Sequence, residues 1–106
     1  MDITVQELNQ RITEGTAPVM IDVRNPDEWE RQALPQAQRI SLPTIPSQLN
    51  DLENLKDQEV VVICRSGGRS GQAKMFLTQK GFSNVRNLEG GMLAWKAHID
   101  PTFDVD

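Results

Sequence analysis

Apolar positions along the chain fall into two periodicities, and their alternation predicts the architecture. Val5, Leu8 and Ile12 recur at helical spacing behind Ile3 and Thr4. Thr4 is an N-cap residue and Glu7 stands where a capping box needs it, with Ile3 and Leu8 as the hydrophobic staple; Gly15 ends this helix. Val19-Met20-Ile21 reads as a short buried strand running into Asp22-Val23-Arg24. Asn25-Pro26-Asp27-Glu28 then opens a short helix: Asn caps, Pro suits the first turn, and the two acids favour the positive helix end. Ala37 to Leu42 is a weaker third strand, broken by Pro43 and Pro46. Ser47 caps a short helix whose apolar side is Leu49, Leu52 and Leu55, and Lys56-Asp57-Gln58 is a turn.

Val60-Val61-Val62-Ile63 is the strongest strand signal: four β-branched residues without polar alternation, hence buried on both faces. Ala73, Phe76 and Leu77 mark a helix over Gln72 to Lys80, closed by Gly81. Val85 to Leu88 is a last strand and Glu89-Gly90-Gly91 a flexible turn. Met92 to Trp95 opens a final helix that ends at Asp100-Pro101, leaving a loose acidic tail over about residues 101–106. Strands alternating with helices imply an α/β domain with a mainly parallel sheet.

Composition narrows the chemistry. A chain of 106 residues is expected to form one domain with a modest core. The net charge of −4 argues against a nucleic-acid-binding surface, and no apolar run approaches membrane-span length. No secretory leader is evident after Met1-Asp2-Ile3-Thr4, so the expected compartment is the cytoplasm. A single cysteine and a single histidine exclude an internal disulfide and offer no cysteine or histidine metal cluster, so neither metal nor cofactor is expected.

That one cysteine stands in the segment Cys64-Arg65-Ser66-Gly67-Gly68-Arg69-Ser70, between the strongest strand and a helix. An inert core cysteine is one reading. The position favours a reactive one: helix N-terminal N–H groups, the helix dipole and nearby arginines all lower a thiol pKa. Gly67 and Gly68 allow successive N–H groups to point inward as an anion cradle, and Arg65 and Arg69 are suited to oxyanions. The run lacks the Lys-Ser/Thr end of a nucleotide-phosphate loop. A Cys-His hydrolase would need His98, which reads as a surface residue. Asp22 and Arg24, at a strand end, are candidates for site support or for a mere turn-pinning pair with each other or Glu28. Trp29 and Trp95 read as packing residues, Trp95 being nearer the loop's neighbourhood.

Three separated motifs together resemble the rhodanese family of sulfurtransferases. They are Asp22-Val23-Arg24 with Pro26 and Glu28-Trp29, the loop Cys64 to Ser70, and Gly90-Gly91-Met92-Leu93-Ala94-Trp95. The family often carries Gly-His-Ile-Pro-Gly-Ala after the first motif; here Gln32-Ala33-Leu34-Pro35-Gln36-Ala37 keeps only Pro35 and Ala37. The resemblance implies a three-layer α/β fold with a five-stranded, mainly parallel sheet. It implies that Cys64 takes sulfur from a small anionic donor such as thiosulfate, forms a persulfide, and passes the sulfur to a small thiophilic acceptor or a thiol protein. Arg65, Ser66, Gly67, Gly68, Arg69 and Ser70 would bind substrate, with Asp22, Arg24 and Glu28 in support. A sulfur carrier loaded by a partner protein is the alternative. A phosphatase is a weaker one, because Cys64 to Arg69 is Cys-x4-Arg, one residue short of the related phosphatase loop.

Overall fold

The computed structural model describes residues 1–106. Its elements are α1 (Val5–Thr13), β1 (Val19–Asp22), α2 (Pro26–Arg31), β2 (Gln38–Arg39), α3 (Ile45–Gln48), β3 (Glu59–Ile63), α4 (Gly68–Gln79), β4 (Asn84–Asn87) and α5 (Gly91–His98). The four strands are all parallel, in the order β2-β1-β3-β4. The expected fifth strand is absent. Ile3 makes a single parallel bridge to Leu88, and the chain then turns at once into α1 because Thr4 caps it, its hydroxyl accepting the Glu7 N–H at 3.1 Å. Glu7 does not complete a capping box. Its carboxylate pairs with Arg86 at 3.0 Å instead.

The third strand is shorter than Ala37 to Leu42, with only Gln38 and Arg39 in register with Ile21 and Asp22. Between it and β3, short 3-10 turns flank α3, and Pro46 lies inside that helix rather than ahead of it. A proline in the first turn sacrifices no hydrogen bond, so the helix starts before Ser47.

β3 lies in the middle of the sheet and is buried on both faces, as its composition predicts. Val61 and Ile63 face a core with Ile3, Val5, Leu8, Leu88, Met92 and Trp95, under α1 and α5. Val60, Val62 and Cys64 face the opposite core with Leu52, Leu55, Ala73, Leu77 and Phe82, under α4. The period of two along the strand thus assigns the cysteine to the α4 layer. The residues after α5 are not a loose tail. Phe103 and Val105 are 2% and 5% exposed within the first core. Burial of two such side chains stabilises this docking by roughly 3 kcal/mol or more.

Asp22 and Arg24 are each 1% exposed and bind one another. Arg24 Nη2 donates to Asp22 Oδ2 at 2.8 Å, its Nε lies 3.0 Å from Oδ1, and Nη2 also donates to the Gln32 carbonyl at 2.8 Å. Of the two roles open to the pair, the contacts support the structural one: they pin the end of β1 to the segment after α2. Asp22→Asn strands the guanidinium in a dry environment, and a loss of about 3–5 kcal/mol is expected. Denaturant unfolding checks this; a loss under about 1 kcal/mol would refute it.

Candidate functional site

In a parallel sheet the C-terminal strand ends share one edge, and Cys64 follows β3 at that edge. The turn after it is tight. Gly67 adopts φ 110°, left-handed and costly for any residue with a Cβ, and α4 begins directly at Gly68. The helix therefore starts four residues earlier than the apolar pattern indicates. Arg69 and Ser70 lie in its first turn, and the N–H groups of Gly68 to Ser70 precede the first helical bond, Gly71 N–H to Gly67 C=O at 3.0 Å.

The sulfur sits among donors. The Gly67 N–H donates to Sγ at 3.0 Å and the Ser70 hydroxyl lies 3.2 Å away. Burial, the largest influence, pushes the Cys64 thiol pKa up. The Ser70 hydroxyl and the N–H groups of Ser70, Gly67 and Ser66 push it down and together prevail, so the thiol titrates below its ordinary value. No imidazole is involved, since His98 is exposed on α5.

Two groups outside the loop hold this shape. The first belongs to a motif already visible in the chain, Gly90 to Trp95, whose contact with the loop the linear pattern does not show; the second, Asn87, lies outside all three motifs. The first is the start of α5. Met92 N–H donates to the Cys64 carbonyl at 2.9 Å and Leu93 N–H to the Arg65 carbonyl at 3.0 Å. A trans peptide directs its C=O and N–H oppositely, so fixing these carbonyls turns the Arg65 and Ser66 N–H groups away from α5. The approach demands glycine: a Cβ on Gly91 would overlap the Cys64 carbonyl and lie 2.6 Å from that of Arg65. Gly90-Gly91 is thus a left-handed pair, φ 73° and 57°, serving close packing rather than a flexible turn.

The second is Asn87, at the end of β4. Its Nδ2 donates to the Gly67 carbonyl at 3.0 Å, which leaves Oδ1 as acceptor for the Ser70 hydroxyl at 2.5 Å. Asp2 holds the Asn87 N–H at 3.0 Å and Lys74 at 2.6 Å. One hydroxyl carries one hydrogen. With a thiol at Cys64, that hydrogen can remain on Asn87; ionisation to a thiolate makes the sulfur the stronger acceptor. A polar residue at a strand end beside the cysteine strand was the available signal for Asn87.

The two arginines of the loop have separate fates. Arg69 grips Glu28 bidentately, at 2.6 and 2.9 Å, so it does not stand free as an oxyanion reader. The same Glu28 carboxylate accepts the Asn25 N–H at 3.0 Å, tying α2 to α4. Arg69, more than the opposing cost of burial, holds the Glu28 carboxyl down at about 2. Arg65 is exposed and forms no salt bridge, and Ser66 and Gly68 are exposed beside it. Asp22 and Arg24 make no hydrogen bond to the Cys64 loop. Trp95 is buried in the α1–α5 layer on the far side of the sheet from Cys64, and Trp29 lines a groove with Pro26, Arg39 and Ile40. In the altered segment, Gln32 Oε1 accepts the Asp104 N–H at 2.8 Å, so this sequence departure anchors the C-terminal residues.

Ser70→Ala removes a hydrogen bond to a charged group, worth about 1.5–3 kcal/mol, so the Cys64 pKa should rise by about one to two units. Ultraviolet titration of the thiolate reads this directly, and an unchanged pKa would contradict the role given to the hydroxyl. Glu28 is deprotonated more readily in the folded chain, so its contribution is present above the ordinary 4.5 and fades as pH falls towards about 2. The stability difference between wild type and Glu28→Gln should therefore shrink across that interval in acid denaturation; a constant difference would refute the linkage.

A family model described as a rhodanese-like domain matches residues 4–98. A sulfurtransferase of Allochromatium vinosum is 36% identical over 97 residues, covering 92% of this chain and 89% of that one. The Bacillus subtilis protein YtwF is 38% identical over 100 residues, covering 94% of each. Among solved structures, a rhodanese-like domain protein from Staphylococcus aureus superposes with a TM-score of 0.83 at 31% identity, covering 100% of this chain and 99% of the other.

Proposed function

The chain belongs to the rhodanese-like domain family, and from that premise we propose that it is a sulfurtransferase working through a Cys64 persulfide. The observation that carries the reading is the cysteine sulfur at the C-terminal edge of the sheet, ringed by the Gly67 N–H and the Ser70 hydroxyl. Such a ring stabilises a thiolate and, equally, the charge on a sulfur attached to it.

With thiosulfate as donor, the Cys64 thiolate attacks the outer sulfur. A Cys64–sulfur bond forms, the bond from that sulfur to the sulfonate breaks, and sulfite leaves with the bonding electron pair. Charge balances: thiolate and dianion give perthiolate and sulfite dianion. An acceptor such as cyanide or a thiolate then attacks the terminal sulfur and returns Cys64 to its thiolate. This is two-step covalent catalysis, and the donors around Sγ favour the thiolate without a general base.

The N–H groups of Arg65, Ser66, Gly67, Gly68, Arg69 and Ser70 would hold the transferred sulfur. The Arg65 guanidinium would draw an anionic donor, and the Glu28–Arg69 pair would brace the first turn of α4. Engagement of Arg69 by the Glu28 carboxylate also speaks against phosphate hydrolysis, since the guanidinium fork that would clasp a phosphate is already occupied. No helix is long and apolar enough to cross a membrane. The chemistry needs a free thiol, which suits a reducing cytoplasm.

Thiocyanate formation from thiosulfate and cyanide tests the reading, with Cys64→Ala as control. The wild type should turn over and the variant should lose activity by at least about a thousandfold, as removal of a covalent nucleophile does. Intact mass after thiosulfate treatment should show one added sulfur atom on the wild type alone. Equal activity in Cys64→Ala would sink the proposal.

A further inference from the structure

The residues that follow α5 carry a second pattern. Phe103 and Val105 point into the core, and the alternating Asp104 and Asp106 point outward. This placement is held at several points. Asp104 N–H donates to Gln32, Val105 C=O accepts from Lys96 Nζ at 3.2 Å, and Arg31 pairs with Asp104 at 2.6 Å and Asp106 at 2.9 Å. The two carboxylates are thereby delivered to the wall of a cavity of about 200 Å³.

That cavity adjoins the Cys64 loop. Its charged lining is Arg24, Arg31 and Arg65 against Glu28, Asp104 and Asp106: three cations and three anions. Arg65 immediately follows Cys64, and Glu28 is the residue that clamps Arg69. Arg24 is already matched by Asp22 and Glu28 by Arg69. The charges left to set the potential at the loop are Arg31 and Arg65, and Asp104 and Asp106 cancel them. Without these two carboxylates the wall would be cationic and would concentrate dianions beside the sulfur. Arg31 above all, then Lys96 and last Arg65, holds the Asp106 carboxyl below the usual carboxylate range.

We propose that Asp104 and Asp106 are specificity-determining residues for the sulfur donor. They disfavour inorganic dianions such as thiosulfate and leave the loop to donors of lower negative charge, the alkyl persulfides of thiols. The inference rests on the sulfur-transfer reading and refines its donor class. The chemistry at Cys64 is the same for either donor: the new sulfur–sulfur bond forms as the donor's own bond breaks, and sulfite or a thiolate leaves with the electron pair. Only the charge that must approach the wall differs.

The test compares two donors of like chemistry and unlike charge, dianionic thiosulfate and monoanionic methanethiosulfonate, in the wild type and in the Asp104→Asn/Asp106→Asn double variant. Only the exposed Arg31 pairs are lost; Phe103 and Val105 stay in the core, and the contacts of the Asp104 N–H with Gln32 and of the Val105 carbonyl with Lys96 keep the segment docked. At low ionic strength kcat/KM for thiosulfate should rise about three- to tenfold in the double variant, and for methanethiosulfonate by about the square root of that. Both gains should fade at high salt, and adding Arg31→Gln should remove about half of the thiosulfate gain. An unchanged ratio between the donors, or an equal loss for both, overturns the inference while leaving sulfur transfer standing. Failure of both donors to load sulfur on the wild type overturns the sulfur-transfer reading, and this inference with it; loading by thiosulfate as fast as by methanethiosulfonate, with no change in the double variant, overturns the inference alone.

Discussion

The loop that carries Cys64 depends on two hydrogen bonds made by its carbonyls. The first turn of α5 grips the Cys64 and Arg65 carbonyls. Because each peptide unit is planar, holding one side of it orients the other, and the N–H groups are left for the sulfur. Only a helix start without a Cβ can approach so closely, which is the reason for Gly91. Asn87 does similar service from β4, holding the Gly67 carbonyl and the Ser70 hydroxyl with the two ends of one amide.

This arrangement resolves a conflict in the energetics of the cysteine. Cys64 is almost completely buried, which disfavours its charged form, yet its proposed role needs that form. Full charges play little direct part in the solution. Arg69 is spent on Glu28, and Arg65 stands in solvent. Several partial charges at hydrogen-bond distance outweigh desolvation because they act at 3.0 to 3.2 Å and are already oriented when the proton leaves. The cations work at longer range, on what approaches the loop, and there the carboxylates of Asp104 and Asp106 oppose them.

The ion pairs divide by environment. Asp22 and Arg24 are dry and geometrically complete, so they act as a rivet whose loss is costly. The pairs of Arg31 with Asp104 and Asp106 are exposed and contribute little to stability, yet their carboxylates offset the cations that line the cavity. Weak pairs of this kind can tune a rate without being needed for the fold.

Local chemistry made much of this legible in the linear chain. A run of four β-branched residues is a buried strand wherever it folds, and it identified β3 and, at its end, the cysteine. Alternation of periods identified the parallel α/β architecture, and a Gly-Gly turn before a helix identified a cradle of N–H groups. What the linear chain left open depends on partners distant in sequence. Thr4 ends strand pairing after a single bridge at Ile3, so the sheet has four strands rather than five. Phe103 and Val105 find a core that only the folded α1 and α5 create, so an acidic segment that reads as a loose tail is docked. Glu28 reaches Arg69 across 41 positions, and Asn87 reaches Ser70 across 17. Residue type and spacing determine which elements form and where a thiolate can be stabilised. Which side chain meets which carbonyl, and which arginine remains free, is decided only when those elements are packed.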